Sequence, residues 1–340
     1  MPAGFFATRD RVSFMYLRFF GLRDRPFELT TDTAFLFLTP RQREVLSNLE
    51  FGLSAAKPLT VLIGEPGTGK STLLRAALES ERCRAVDCVY VDNPALRRDE
   101  FLNVLATRFG LGPGAAESKA VFIEQVERLL RERRQAGAIK ALVIDEAQCL
   151  APDVLEEVRL LGNLEADNQK LLPLVLAGQP DFGVRLENPA FRQLKQRVTL
   201  RCETAPFDLR ETAGYMASRI QRAGGSPSEL FTQEAVREVH ERSGGIARLV
   251  NVVCDNALVS GMALSRKPVD RAIIEEVAHD FALPPRGSVD SRGSRPDTYT
   301  RIAPQSASTI PAEQPDEMRH PNGMSDTRRR RSFTVFGRHS

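Results

Sequence analysis

The stretch that decides the fold is Gly64-Glu65-Pro66-Gly67-Thr68-Gly69-Lys70-Ser71, which directly follows the apolar run of residues 59–63. It fits the phosphate-loop pattern G-x-x-x-x-G-K-[ST] between a strand and a helix. Its glycines permit backbone angles that a β-carbon forbids, so successive N–H groups can turn inward around a phosphate chain. Lys70 then reaches the terminal phosphates, Ser71 offers its hydroxyl to Mg²⁺, and the predicted nucleotide contacts end at Thr72. An ordinary glycine-rich turn is the alternative, but strand, loop, lysine, hydroxyl and helix all favour a nucleoside triphosphate site.

A second motif lies at the end of another apolar strand. Residues 141–144 are apolar and lead into Asp145-Glu146, which is the form that a Walker B element takes. We expect Asp145 to hold Mg²⁺ through water. We expect Glu146 to orient and deprotonate the attacking water, a task that needs a carboxylate near the γ-phosphate with no other strong partner. A solvated helix cap is the alternative for this pair.

Composition indicates one large domain or two ordinary ones. The chain has 340 residues, and its hydrophobic content of 42% is enough for a core. The five cysteines form no C-x-x-C pair and lie near no histidine at zinc-finger spacing, so neither a structural metal nor a disulfide framework is indicated. No apolar run reaches the length of about eighteen residues that spans a membrane. We therefore predict a chain without a transmembrane segment that is cytoplasmic or peripheral at the inner membrane.

Positive charge is concentrated in the last part of the chain. Residues 285–340 hold ten arginines and no lysine against six acidic residues, a net charge of +4 in a chain whose total is +3. The segment is rich in Ser, Pro, Arg and Gly without apolar periodicity, so we predict a disordered basic tail over residues 284–340. The cluster Arg328-Arg329-Arg330-Arg331 could bind nucleic acid or an anionic membrane surface. A solvated, solubilising tail is the alternative.

Strands and helices alternate up to about residue 207. Helices are predicted near 40–56, 99–109, 118–135 and 152–161, and further apolar strands near 88–91 and 171–177. This alternation implies a parallel sheet that is covered on both faces and binds ligands at the carboxyl ends of its strands. Gly64, Asp145 and Gln179 all fall at such ends. Gln179 is thus a candidate sensor of the γ-phosphate or the attacking water, with a plain turn residue before Pro180 as the alternative.

Only helices are predicted after residue 207. Asp208-Leu209-Arg210-Glu211 has the character of a capping box and opens one helix, and Thr232 opens another. Further helices are predicted near 246–258 and 270–281. We expect residues 208–283 to form a small lid that covers the nucleotide and converts the presence of a γ-phosphate into a change of domain angle.

Several further motifs stand in a fixed order between residues 15 and 282. They are Tyr16-Leu17-Arg18-Phe19-Phe20-Gly21-Leu22 with Arg25-Pro26-Phe27, Val143-Ile144-Asp145-Glu146-Ala147-Gln148, Arg159-Leu160-Leu161-Gly162-Asn163-Leu164-Glu165, Leu176-Ala177-Gly178-Gln179-Pro180-Asp181 and Gln196-Arg197-Val198. Together with the phosphate loop they resemble the AAA+ ATPases of the general secretion pathway protein A type. The resemblance implies an α/β P-loop NTPase fold, with a parallel-sheet nucleotide-binding core over residues 15–207 and the helical lid behind it. Residues 1–14 are then an extension ahead of Met15, a candidate start.

The resemblance also implies roles for two arginines. Arg197 matches the arginine finger, which would reach the nucleotide of a neighbouring subunit, and Arg192 is the fallback. In Gly244-Gly245-Ile246-Ala247-Arg248, Arg248 matches the arginine of the lid's Gly-x-Pro-Arg sensor, while Ala247 replaces its proline. A surface salt bridge is the alternative for either arginine.

The function that the resemblance implies is ATP hydrolysis with Mg²⁺ that drives conformational change or assembly of a partner system. Secretion and exopolysaccharide export are the expected processes, with a homo-oligomer and a membrane-associated protein as expected partners. Relatives in type II secretion commonly continue into a transmembrane helix and a periplasmic part, which this sequence does not show. The alternative is a DNA-binding ATPase helper of transposition or another nucleoprotein assembly, in which the basic tail and the lid contact phosphates.

Overall fold

The architecture was determined as a computed structural model, which describes residues 15–29, 35–92, 94–112, 114–115, 117–166 and 169–284. The predicted extension over residues 1–14 and the basic tail from residue 285 lie outside the described residues. Within these ranges, no helix has both the length and the apolar character needed to cross a bilayer.

Strands and helices alternate through the first two thirds of the chain, and helices alone follow. The strands are β1 (Leu59–Ile63), β2 (Val86–Val91), β3 (Ile139–Ile144), β4 (Glu165–Ala166), β5 (Gln169–Lys170), β6 (Leu174–Gly178) and β7 (Val198–Glu203). The helices are α1 (15–20), α2 (Pro40–Ser54), α3 (Lys70–Leu78), α4 (Arg98–Phe109), α5 (Lys119–Gln135), α6 (Pro152–Leu161), α7 (Pro180–Leu186), α8 (Arg192–Lys195), α9 (Leu209–Arg222), α10 (Pro227–Leu230), α11 (Gln233–Ser243), α12 (Ala247–Ala263) and α13 (Arg271–Asp280).

The main sheet has the strand order β2-β3-β6-β1-β7, and every neighbouring pair is parallel. This confirms the predicted parallel sheet. Strand β6 lies between β1 and β3, so the ends of the three strands meet at one edge, where Ile63 pairs with Gly178 and Ile144 with Leu176. The chain segments that leave β1, β6 and β3 are therefore side by side.

Both faces of the sheet are buried beneath helices. Val61 packs into a cluster that includes residues of α4, α5 and α6, whereas its neighbour Leu62 packs into a second cluster with α2 and α3. Side chains alternate between the two faces of a strand, so a buried parallel strand must be apolar at successive positions. The central strands β1 and β6 are buried throughout, whereas most side chains of the edge strands β2 and β7 are half-buried or exposed.

The helical region begins as the sequence predicted. Asp208 caps α9 in a reciprocal capping box with Glu211, and the Thr232 side chain caps α11. The helices α9 to α13 share one buried cluster with the aromatic lead-in, the segment of residues 15–29, to which Tyr16, Phe20 and Phe27 contribute. The lead-in thus packs on the helical region and not on the sheet. The boundary between residues 207 and 208 stays a prediction.

A buried arginine ties the lead-in to α9. Arg219 is only 5% exposed. Its guanidinium donates to the carbonyl oxygens of Pro26 and Glu28 (3.1 Å to the latter) and to the Tyr215 hydroxyl at 2.8 Å. The ring of Phe35 lies 5.0 Å from the guanidinium carbon. Because a buried cation must be well hydrogen-bonded, these contacts hold Pro26 and Glu28 against α9.

A glycine is required at position 245, where the helical region contacts the segment that follows β7. Gly245 has φ +74°, and a β-carbon there would lie 2.0 Å from the Phe207 carbonyl oxygen, in a backbone that cannot give way easily. We expect Gly245→Ala to lower the free energy of unfolding by about 3 kcal/mol or more. Denaturant titration of the full chain measures this change.

Gly137→Ala is the matched control. Gly137 has φ +76°, and no described atom lies within 4 Å of a β-carbon placed there, so its substitution reports the backbone strain alone. That strain costs about 1–2 kcal/mol. Equal losses in the two variants would contradict the clash at Gly245.

Candidate nucleotide site

The loop between β1 and α3 has the backbone that a phosphate cradle needs. Gly67 and Gly69 have φ angles of +80° and +95°, in the region that glycine adopts at no steric cost. Gly69 is the N-cap of α3 and offers no side chain, so no side chain caps the first N–H groups of the helix. A β-carbon at Gly64 would lie 1.8 Å from the Thr204 hydroxyl oxygen. The loop therefore presents backbone donors at the positive end of a helix.

Lys70 is folded back over this loop. Its Nζ donates to the carbonyl oxygens of Gly64 at 3.0 Å and Glu65 at 3.2 Å, and the residue is 5% exposed. Burial lowers the pKa of the Lys70 ammonium, whereas the nearby carboxylates of Glu146 and Asp145 act in the opposite direction. Anionic phosphates beside this ammonium would supply a counter-charge that its carbonyl partners do not.

Asp145 lies directly opposite the start of α3. Its Oδ2 accepts from the Ser71 hydroxyl at 2.6 Å and from the Tyr90 hydroxyl at 2.9 Å, and its Oδ1 accepts from the Glu146 N–H at 2.9 Å. Burial and the Asp145 carboxylate raise the pKa of the Tyr90 phenol, which therefore stays protonated as a donor. Sequence reasoning missed Tyr90, although its position near the end of β2 places it at the same sheet edge as Asp145.

These residues fit a magnesium ion. A serine hydroxyl and a carboxylate held against each other are hard oxygen donors, which Mg²⁺ prefers together with water and substrate phosphates. Among the described residues, no group of three or more His, Cys, Asp and Glu side chains could hold a metal. Ser71 and Asp145 would thus hold Mg²⁺ only together with phosphate oxygens and water.

Glu146 follows Asp145 in an unusual backbone conformation. Its φ of +53° lies in the left-handed region, which costs a residue with a side chain about 1–3 kcal/mol and often marks a functional position. Its carboxylate Oε2 accepts from the side-chain amides of Gln148 and of Gln179, the latter at 3.3 Å. The expectation that this carboxylate has no other strong partner is therefore wrong. The short 3₁₀ turn Ala147–Cys149 is the cause, because it brings the Gln148 amide back over the preceding carboxylate.

A cavity of about 370 Å³ opens between the loop and the helical region. Its lining includes the loop from Pro66 to Thr72, Glu146, and the side chains of Leu29, Phe35, Leu36, Phe37, Gln42, Leu73, Phe207, Tyr215, Arg219, Ala247, Arg248 and Asn251. The ring of Phe37 lies 6.0 Å from that of Phe207 and 5.9 Å from that of Tyr215. The lining therefore combines a polar, cationic loop with a group of aromatic rings, and a phosphate chain joined to a flat base requires both.

Comparison with known proteins agrees with this geometry. Residues 54–186 match the family model described as AAA domain. General secretion pathway protein A of Aeromonas hydrophila is 35% identical to the chain over 268 residues, which are 79% of this chain and 49% of that protein. This chain is a homologue of general secretion pathway protein A with an AAA domain. It spans about half the length of that relative.

Solved structures share the fold of this homologue at low identity. Cdc6p of Pyrobaculum aerophilum superposes with a TM-score of 0.59 and 21% identity over 73% of this chain and 70% of that one. The Walker-type ATPase PABY2304 of Pyrococcus abyssi gives a TM-score of 0.55 and 18% identity over 76% of each chain. The fold is the P-loop AAA+ fold, a parallel sheet of five strands followed by a helical region.

Arg248 of this homologue lies beside the loop, at the start of α12. Its N–H donates to the Gly67 carbonyl oxygen at 3.2 Å, and its β-carbon would lie 2.8 Å from a β-carbon on Gly67. The side chain is exposed, lines the cavity, and makes no ion pair with any residue of the described ranges. The structure thus places Arg248 at the loop without the surface salt bridge that was the alternative.

Arg197 lies far from the loop of its own chain. It directly precedes β7, whose Val198 pairs with Leu59 at the amino end of β1. The loop follows the carboxyl end of β1, roughly 15 Å away at about 3.3 Å per residue. The Arg197 Nη1 atom is buried and has no hydrogen-bond partner among the described residues, and Arg192 is exposed on α8. A role for either arginine toward a neighbouring subunit stays a prediction.

Proposed function

We propose that this AAA homologue binds ATP with Mg²⁺ in the cavity between the loop and the helical region and hydrolyses the γ-phosphate. The observation that carries this proposal is the meeting of two carboxylates with the loop: Asp145 contacts Ser71 at 2.6 Å, and Glu146 lines the same cavity as Lys70. A binding site alone would need the loop and Lys70. A carboxylate that faces the cavity adds a base for water.

Binding in this proposal is electrostatic. The backbone N–H groups of residues 67–71 surround the β- and γ-phosphates, and the Lys70 ammonium exchanges its carbonyl partners for phosphate oxygens. The aromatic side chains of the lining, Phe37, Phe207 and Tyr215, contact the base. Arg248 reaches the phosphates from the helical region and Gln179 from the end of β6. Both side chains would then report on whether a γ-phosphate is present.

The chemical step needs one proton acceptor. Glu146 takes a proton from a water molecule as the water oxygen forms a bond to the γ-phosphorus, and the bond from that phosphorus to the bridging oxygen of ADP breaks. The products are ADP and inorganic phosphate. Mg²⁺, held beside Ser71 and Asp145, would neutralise charge on the phosphate oxygens.

The process that ATP hydrolysis drives is proposed from the relative's name. General secretion pathway protein A indicates a partner in a secretion or export system, and hydrolysis would relax the contact between the helical region and the loop to change a partner surface.

Phosphate release from ATP by the full chain tests the proposal. We expect slow turnover in the absence of a partner, full dependence on Mg²⁺, and loss of activity in excess EDTA, because Ser71 and Asp145 would hold the ion only together with phosphate oxygens and water. The rate with GTP should be lower than with ATP, since the chain carries no guanine-reading Asn-Lys-x-Asp pattern. Equal release in Mg²⁺ and in EDTA would contradict the proposed site.

A further inference from the structure

Gln148 engages two separate parts of the site with the two ends of one side chain. Its Nε2 donates to the Glu146 carboxylate, and its Oε1 accepts from the Gln179 backbone N–H at 3.1 Å. Gln179 follows β6 and is the N-cap of α7, whereas Glu146 follows β3. The Gln148 amide therefore bridges the ends of two neighbouring strands.

The backbone of Gln148 is itself held by α7. Arg185 donates from Nη1 to the carbonyl oxygens of Gln148 at 3.3 Å and Leu150 at 2.6 Å, and its guanidinium carbon lies 5.1 Å from the ring centre of Phe191. Among the described residues, Arg185 forms no ion pair with a carboxylate. The Arg185 guanidinium thus holds the turn that carries Gln148 through hydrogen bonds to its backbone, and no carboxylate of the described residues draws the guanidinium away.

The bridge leaves Glu146 in one orientation. Both amide donors bind Oε2, and the side chain lines the cavity. A carboxylate that is free to rotate about its last bonds would spend only part of its time directed at the water. Holding one oxygen leaves the other to accept a proton, and misplacement by about 1 Å can cost a factor of about 100 in rate.

We infer that Gln148 is a positioning residue that orients the Glu146 carboxylate and couples it to Gln179. The base then has its working orientation only when the backbone at Gln179 is in the position described here. This inference rests on the proposed function, because it assigns an orientation to the base of that reaction. Gln148 lies outside the cavity lining, so we do not expect it to contact the phosphates itself. Its loss should lower kcat and leave the KM for ATP unchanged.

The test compares ATP hydrolysis by the full chain with Gln148→Met, which keeps the length of the side chain and removes both hydrogen bonds. We expect kcat to fall by about 10- to 100-fold with an unchanged KM. Gln148→Glu keeps an acceptor for the Gln179 N–H but offers no donor to Glu146, and it should lose activity to at least the same extent. Gln135→Met, at the exposed end of α5, is the matched control and should retain the wild-type rate.

A double-mutant cycle separates orientation of Glu146 from a general structural role. If Gln148 acts through Glu146, adding Gln148→Met to Glu146→Gln should change the single-turnover rate less than twofold, because the group that it orients is already lost. If the wild-type chain hydrolyses ATP and the kcat of Gln148→Met is unchanged or higher, this inference is overturned and the proposed function is not. Additive losses in the cycle would have the same consequence. A wild-type chain that binds ATP without hydrolysing it would overturn the proposed function and this inference together.

Discussion

Replacing Glu146 by Gln should reduce ATP hydrolysis by about 100- to 10,000-fold while ATP binding is retained. The substitution keeps the size of the side chain and removes the group that accepts the proton, and a positioned base contributes this range of rate. The amide can still pair with Gln148 and Gln179, so the turn should keep its shape. Phosphate release measures the rate, and a fluorescent ATP analogue measures the affinity.

Glu124→Gln is the matched control for this variant, because Glu124 is exposed on α5. It should hydrolyse ATP at the wild-type rate. Hydrolysis at more than about a tenth of the wild-type rate in Glu146→Gln would contradict the assignment of the base.

Replacing Lys70 by Ala should weaken ATP binding by about 100-fold or more. The ammonium would donate two or more charge-assisted hydrogen bonds to phosphates, each of about 1.5–3 kcal/mol, and each 1.4 kcal/mol corresponds to a factor of ten in Kd. The fold should persist, since the truncation removes a buried cation together with its desolvation cost. Calorimetric titration with a non-hydrolysable ATP analogue and Mg²⁺ gives the Kd.

Lys57→Ala is the control for a lost lysine charge. Lys57 lies before β1 and stacks on the exposed Phe51 ring, with its Nζ 4.9 Å from the ring centre. Its Kd should match that of the wild type. A Kd for Lys70→Ala within threefold of the wild-type value would place the nucleotide elsewhere.

The parts of the fold that sequence predicted best are those with one strong signal. Strands β1, β3 and β6 are apolar apart from Thr60 and Lys140, so burial on both faces could be inferred from residue type. Two capping motifs, at Asp208 and Thr232, fixed the starts of α9 and α11.

The parts that sequence reasoning missed follow from position in the sheet. Strand β7 is at the edge and alternates polar with apolar residues, so it carries no apolar run, and its pairing with β1 depends on residues more than a hundred positions away. Strand β6 begins at Leu174 and not at Leu171, because Pro173 has no N–H for the ladder. The helices α7 and α8 are too short for a periodic pattern to emerge.

In the candidate site, too, residues in motifs were predicted from the sequence and residues brought in by tertiary structure were not. Motif spacing predicted that Gly64, Asp145 and Gln179 lie at one edge, and the structure brings their segments together through the order β3-β6-β1. Tyr90 and Thr204 lie in no motif, and Gln148 lies in a motif that assigns it no role. Their contacts arise only when separate strands meet, so tertiary structure was needed to find them.

The most direct test of the central claim is a crystal structure of the full-length Glu146→Gln chain with ATP and Mg²⁺. We expect the β- and γ-phosphates within hydrogen-bond distance of the Lys70 Nζ atom and the loop N–H groups, the metal beside Ser71, and the base against the cluster of Phe37, Phe207 and Tyr215. A nucleotide bound at any other surface, or a triphosphate directed away from Lys70 and residue 146, would contradict the account.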